Sequence, residues 1–213
     1  MKLSPLLLPF LLLLAGCRAA PGLGERFLAS GSILFSDDFS NLQSGWGTLN
    51  AEGGVAAYQE GAFQMYVKPA NAQIWAHPGL ALGDVRVETR LRAAGEPFSN
   101  RMGIICRYVD DANFYFFIIS ADGYAAIGKM AAGQAALLTG PEMTRQPDIL
   151  TGGQVNRLRA DCISDFLILY INDSLALSAQ DADFSRGDVG LLAGTFESPG
   201  AAVLFDDFIV RKP

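Results

Sequence analysis

The sequence predicts an all-β sandwich or barrel, and three observations carry that prediction. About a dozen short segments rich in β-branched and aromatic residues recur at roughly 8–12-residue spacing, each bounded by turn residues. No window beyond residue 30 holds an apolar helical period over three turns. Segment 84–92 alternates strictly: Val85, Val87, Thr89 and Leu91 on one face, Arg86, Glu88, Arg90 and Arg92 on the other. That pattern describes a strand with one buried and one wet face. Without crossover helices, a parallel α/β fold is excluded.

Taken in order, residues 33–39, 62–67, 73–77 and 84–92 are the first expected strands. Residues 102–109 and 113–120 follow, joined by Asp110-Asp111-Ala112. The turn Ala121-Asp122-Gly123 leads into 124–129, and Asp-Gly is a strong hairpin signal. The unbroken apolar run 114–119 predicts a strand covered on both faces. Strands at 155–162, 166–171, 175–178, 189–193 and 202–210 complete the set, with Asn172-Asp173-Ser174 as another tight turn. Residues 141–153 are the longest unpatterned stretch and read as a surface loop.

The N-terminus reads as a processing signal. Lys2 precedes an apolar run over residues 6–15, broken only by Pro9. That is about half the roughly 20 residues a membrane-spanning helix needs. The run ends in Leu14-Ala15-Gly16-Cys17, which resembles a bacterial lipobox. The resemblance implies cleavage before Cys17 and lipidation of its thiol. The expected organisation is therefore a signal peptide over 1–16, a lipidated Cys17 with a tether over 17–30 containing Pro21, Gly22 and Gly24, and one domain over 31–213. Such a protein is exported and held on a bacterial membrane, facing periplasm or exterior.

Composition narrows the function. A formal charge of −6 and a pI near 4.7 argue against nucleic acid, which needs a clustered basic surface. A chain 50% hydrophobic and only 18% charged is not disordered. His77 is the single histidine, so sites built from two histidines are excluded. There is no phosphate-binding Gly-x-x-x-x-Gly-Lys loop and no Cys-x-x-Cys pair. Cys106 and Cys162 fall on expected strands, and an oxidising compartment permits a disulfide between them. The alternative is two separate buried thiols behaving as small hydrophobes.

Four stretches carry a family resemblance: SILFSDDFSNLQSGW, NFYFFIISADGYAAIGKM, NRLRADCISDFLILYINDSLAL, and GDVGLLAG with AAVLFDDFIV. Over about residues 31–213 the chain resembles the concanavalin A-like lectin/glucanase superfamily, nearest its laminin-G-like and domain-of-unknown-function branches. The resemblance implies a two-sheet antiparallel jelly roll with first and last strands adjacent, and a concave face where relatives bind glycans. A shared fold does not itself transfer an activity.

With adjacent terminal strands, the acidic pairs Asp37-Asp38 and Asp206-Asp207 converge. Asp38, Asp206 and Asp207 are the expected ligands of a structural Ca²⁺, which takes six to eight hard oxygens. The alternative is that these aspartates cap strand ends or bind backbone amides. Trp46, after Gly45, matches a packing tryptophan of the family, whereas Trp75 is a candidate for stacking on sugar rings. Tyr66, Arg107, Tyr115, Tyr124 and Lys129 are candidates to line the concave sheet, though each is also an ordinary strand residue.

Catalysis finds little support. The family's hydrolases carry Glu-x-Asp-x-Glu on one strand, which sets three carboxylates on one face, and no such run occurs here. Glu88 is flanked on its own face by Arg86 and Arg90, which favour its ionised form. His77 precedes Pro78 in no nucleophile context. The expected function is a non-catalytic envelope lipoprotein that binds a carbohydrate or envelope glycan. The alternatives are an atypical glycoside hydrolase of the keto-sugar hydrolase-like branch, and a structural or protein-interaction module at the envelope.

Overall fold

The computed structural model describes residues 29–213; Cys17 and the expected signal segment lie outside them. Among the described residues the chain forms strands and turns without a helix. In chain order these are β1 (Ile33–Asp37), β2 (Leu49–Ala51), β3 (Gly54–Gln59), β4 (Ala62–Val67), β5 (Gln73–Ala76), β6 (Val85–Ala93), β7 (Asn100–Asp110) and β8 (Asn113–Ile119). They continue with β9 (Tyr124–Ala131), β10 (Gln134–Leu137), β11 (Thr144–Arg145), β12 (Asn156–Ile163), β13 (Phe166–Ile171), β14 (Ser174–Gln180), β15 (Asp188–Thr195) and β16 (Ala201–Arg211).

Two antiparallel sheets face each other. The larger runs β14-β13-β12-β6-β16-β4-β3-β2, with β1 also paired to β16. The smaller runs β10-β9-β8-β7-β15-β5, with β11 added beside β10 on the edge of β9. This is the two-sheet antiparallel jelly-roll sandwich that the family resemblance implies. First and last strands are neighbours, Asp37 standing opposite Phe208.

Period-2 alternation decides which side chains enter the core. On β6, Val85, Val87, Thr89 and Leu91 are buried, while the intervening arginines and Glu88 face outward. They meet Met102, Ile104 and Cys106 of β7 and Tyr115, Phe117 and Ile119 of β8 in one continuous core. Trp46 takes the packing role, 4% exposed, with its ring edge-on to Phe208 at 4.8 Å and to Phe39 at 5.3 Å. Cys106 on the smaller sheet is disulfide-bonded to Cys162 on the larger one, so the expected bridge ties the two layers together.

A bulge at Asp206–Asp207 organises β16. Asp207 has φ 49°, and the register against β6 slips between Asp206 and Ile209. Aspartate tolerates this left-handed conformation better than most residues. Before the bulge the other edge of β16 pairs with β4; after it the same edge pairs with β1.

Four strands stand where none is expected: β2, β3, β10 and β11. The reading of 141–153 as a surface loop holds except for β11, which adds Thr144 and Arg145 to the edge of β9. The Asn172-Asp173 turn is a hairpin with both residues at positive φ, 49° and 71°, the geometry two-residue hairpins favour.

Candidate functional site

The two outer faces of the sandwich differ in chemistry. On the larger sheet, register places Arg86 opposite Asp161 and Arg159 opposite Glu88. The charges there are largely spent on one another. Arg86 and Arg159 both bind the buried Asp161, Arg157 binds Glu88 and Asp173, and Arg90 binds Asp207. This is a solvated ladder of cross-strand pairs.

The outer face of the smaller sheet is apolar instead. Alternation along β8 sends Phe114, Phe116 and Ile118 outward, where they form a second cluster with Ile105, Ala126, Met130 and Leu192. Leu137 and Met143, from β10 and the segment before β11, pack against part of it. Trp75 and Tyr108 pack against it as well and remain partly open. One row across the sheet reads Trp75, Leu192, Gly103, Ile118, Ala126; the next reads Gln73, Gly194, Arg101.

At the β5 side lies an array of rings held by two carboxylates. Trp75 Nε1 donates to Asp111 Oδ1 at 2.9 Å, and the Tyr108 hydroxyl donates to the same oxygen at 2.6 Å. The hydrogen bond from Tyr108, then that from Trp75, holds Asp111 below the usual carboxylate range. Burial and the hydrogen bond to Asp111 push the Tyr108 hydroxyl up to about 12. Phe114 sits 5.2 Å from the Trp75 ring and 5.8 Å from that of Tyr108. His77 lies over Tyr108 at 4.3 Å, its Nδ1 paired with the buried Asp188 at 2.8 Å. Asp188 also receives the amides of Gly79 and Val189.

Beside this array runs a groove of about 350 Å³. Phe116, Ile118 and Leu192 form its floor, Leu137 and Met143 one wall, and Gln73, Arg101 and Phe196 the other. The Arg101 guanidinium lies over the Phe196 ring, 4.3 Å from its centroid, and reaches Gln73 Oε1 at 3.4 Å. Burial pulls Arg101 below the usual arginine value. A second depression continues from the first, sharing Leu137, Met143 and Phe196, and brings in Tyr124, Asp122 and Glu142.

Of the five expected ligand-contacting residues, Trp75 and Tyr124 face this surface. The other three do not. Tyr115 shares the inward face of β8 with Phe117 and is fully buried. Lys129 stands opposite it on β9 and points the same way. Both meet the segment after β14: Tyr115 donates to Asp181 at 2.6 Å, and Lys129 pairs with Asp181 at 2.5 Å and with Asp183. Arg107 is 2% exposed and bridges the Phe184 carbonyl and Asp84. Its φ of 51° marks a bulge that breaks the alternation used to place it. These three side chains close one end of the sandwich. Tyr66 lies on β4, in the other sheet.

The acidic pairs at the terminal strands meet in part. Asp37, Asp38 and Asp207 line one depression of about 400 Å³ with Ser36, Asn41 and Ser44, whereas Asp206 opens onto a neighbouring one with Arg90, Arg92 and Gln64. Asp37 accepts from the Phe39 amide and from Ser44, Asp38 from Ser40, and Asp206 from the Asp207 amide. The side-chain hydrogen bond from Ser40 holds Asp38 below its usual range. Among the described residues no group of three or more His, Cys, Asp or Glu side chains is placed to hold a metal ion.

Sequence reasoning missed Arg101, Tyr108, Asp111, Phe116 and Leu192. The signal was the double-sided apolar run in 114–119, which demands an outer cover that the sequence supplies only in part.

No known family model matches the sequence, and no curated protein matches it. Solved structures do match. Carbohydrate binding module CBM66 from Bacillus subtilis is similar with a TM-score of 0.65 at 19% identity, over 79% of this chain and 96% of that one. A protein of unknown function with a galectin-like fold from Bacillus subtilis is similar at TM-score 0.62 and 13% identity, over 86% of this chain and 97% of that one. A Bacillus licheniformis β-glucanase is similar at TM-score 0.60 and 8% identity, over 84% and 97%. At these identities the likeness is one of fold.

Proposed function

We propose that the domain binds a glycan on the outer face of its smaller sheet and does not cleave it, as an exported protein anchored to a bacterial membrane through Cys17. One observation carries the reading: Trp75, a partly open ring held by Asp111, stands on the same face and directly opposite Leu192 of the groove floor. An aromatic ring offers a flat apolar surface to the C–H face of a sugar, and a neighbouring carboxylate accepts hydroxyl hydrogen bonds. Recognition sites of this kind are apolar with a few placed polar groups, as here. The names of a carbohydrate binding module and a β-glucanase among proteins of this fold support the same class of ligand.

The test is a glycan array followed by calorimetric titration of the best ligand, for the wild type and Trp75→Ala. Binding should weaken at least tenfold in the variant while a cooperative melting transition, at a lower midpoint for the lost packing on Phe114, shows that it remains folded. Absence of binding to any glycan overturns the reading. Release of new reducing ends during the titration overturns its non-catalytic part and favours a hydrolase using Asp122 and Glu142, which line one depression. The anchor is tested by metabolic labelling with a radioactive fatty acid, which Cys17→Ser should abolish.

Calcium belongs to the same proposal. The carboxylates of Asp38, Asp206 and Asp207 are the hard oxygen donors that calcium prefers; among the described residues they are not gathered around one point, so binding requires Asp207 to release Arg90 and the three to close on the ion. EGTA should then lower the melting midpoint, and an unchanged midpoint removes the metal.

A further inference from the structure

We infer, resting on the glycan-binding reading, that the groove selects an acidic sugar and that Arg101 receives its carboxylate. Arg86, Arg90, Arg107, Arg157 and Arg159 each bind an Asp or Glu in this acidic chain. Arg101 does not. Among the described residues its partners are the Phe196 ring and one long hydrogen bond to Gln73. A partly buried guanidinium at the wall of an apolar groove is costly without an anion.

The surroundings leave that guanidinium reachable. Its register neighbour on β15 is Gly194, so no side chain stands between Arg101 and Gln73. A Cβ built at Gly194 would lie 3.3 Å from Arg101 Cβ. Phe196 lies against the guanidinium, its ring centroid 4.3 Å from Arg101 Cζ. A planar guanidinium matches a carboxylate in bidentate fashion. Asp122 and Glu142 lie in the adjoining depression. The groove therefore has polarity: the acid group belongs at the Arg101 end, and hydroxyls belong beside Asp122 and Glu142.

The test uses the whole protein and oligomers of galacturonate, glucuronate and mannuronate, together with sialyllactose. Each is titrated beside its carboxyl-reduced counterpart. At least one acid should bind tenfold or more tighter than its neutral twin, and Arg101→Met should erase that preference while Trp75→Ala weakens both ligands. Arg101→Lys should restore part of it, and a cooperative melting transition in each variant shows that all are folded. If neutral twins bind as well as every acid, the acidic specificity falls while the glycan reading stands. If neither acidic nor neutral glycans bind, both fall. If a sulfated neutral oligosaccharide competes as well as the best acid, the requirement for a carboxylate is overturned.

Discussion

Phe116 lies flat across Gly128. The two residues face each other on β8 and β9, and a Cβ at Gly128 would overlap the Phe116 ring and come 2.6 Å from the Ala136 carbonyl oxygen. The bare backbone on β9 thus lets the ring recline and form the groove floor. In Gly128→Val the ring must stand up into the groove. The expected result is loss of glycan binding, with a stability cost of about 1–3 kcal/mol from overpacking. Titration and thermal melting check it; unchanged binding would mean that Phe116 is not part of the recognition surface.

Cys106 and Cys162 join the two sheets across 56 positions of sequence. In the chain-entropy model, closing a loop of that length restricts the unfolded chain by roughly 4 kcal/mol. Replacing both cysteines by alanine should lower the melting midpoint by on the order of 10 °C for a domain of this size. Thiol labelling of denatured, unreduced wild type should find neither cysteine free. Labelling of either thiol would show the bridge to be absent in the folded protein as purified.

The sheet architecture is legible from alternation because most strands have one wet face. On β6 charged residues alternate with apolar ones and Thr89, so the sequence alone orients every side chain. β3 and β10 escape notice because alanine-rich stretches carry little strand propensity and form only through pairing. The site is harder to read, because a polar residue on a strand does not announce which layer it joins. Tyr115 and Lys129 look like surface residues until the Asp181 segment is known to meet them between the sheets. Arg101 and Asp111 look ordinary for the opposite reason: what distinguishes them is a missing carboxylate and a shared oxygen, both products of tertiary contact.

Asp111 governs two rings at once. In Asp111→Ala, Trp75 loses its fixed orientation and Tyr108 loses the anion that helps raise its hydroxyl to about 12. The Tyr108 hydroxyl should then titrate nearer the ordinary tyrosine value of about 10, and glycan binding should weaken by about tenfold, near 1.4 kcal/mol. Ultraviolet titration of the variant beside Tyr108→Phe isolates the signal. An unmoved tyrosine titration would show that Asp111 does not set the electrostatics of this array.

Lys129 and Asp181 form one pair that makes the fold sensitive to acid. Burial alone would raise Asp181, but the hydrogen bonds from Lys129 and Tyr115 hold it below the usual range, while Asp181 and Asp183 hold Lys129 above its own. A carboxylate depressed on folding contributes stability that is present above its unfolded value, about 3.9, and is lost as pH falls through the lower folded value. The raised lysine contributes stability that is complete below about 10.4 and is lost as pH climbs through its raised folded value. Lys129→Met removes the cation that offsets the burial of Asp181. Its stability at neutral pH should fall by about 1–3 kcal/mol, less than for a fully buried pair because both partners are partly exposed. The gap between variant and wild type should close as pH falls, because Asp181 is then protonated in both and the wild type loses the contribution of the pair. Urea unfolding of both proteins between pH 3 and 8 reads the two effects together. Parallel stability curves across that range would rule out Lys129 as the partner that depresses Asp181.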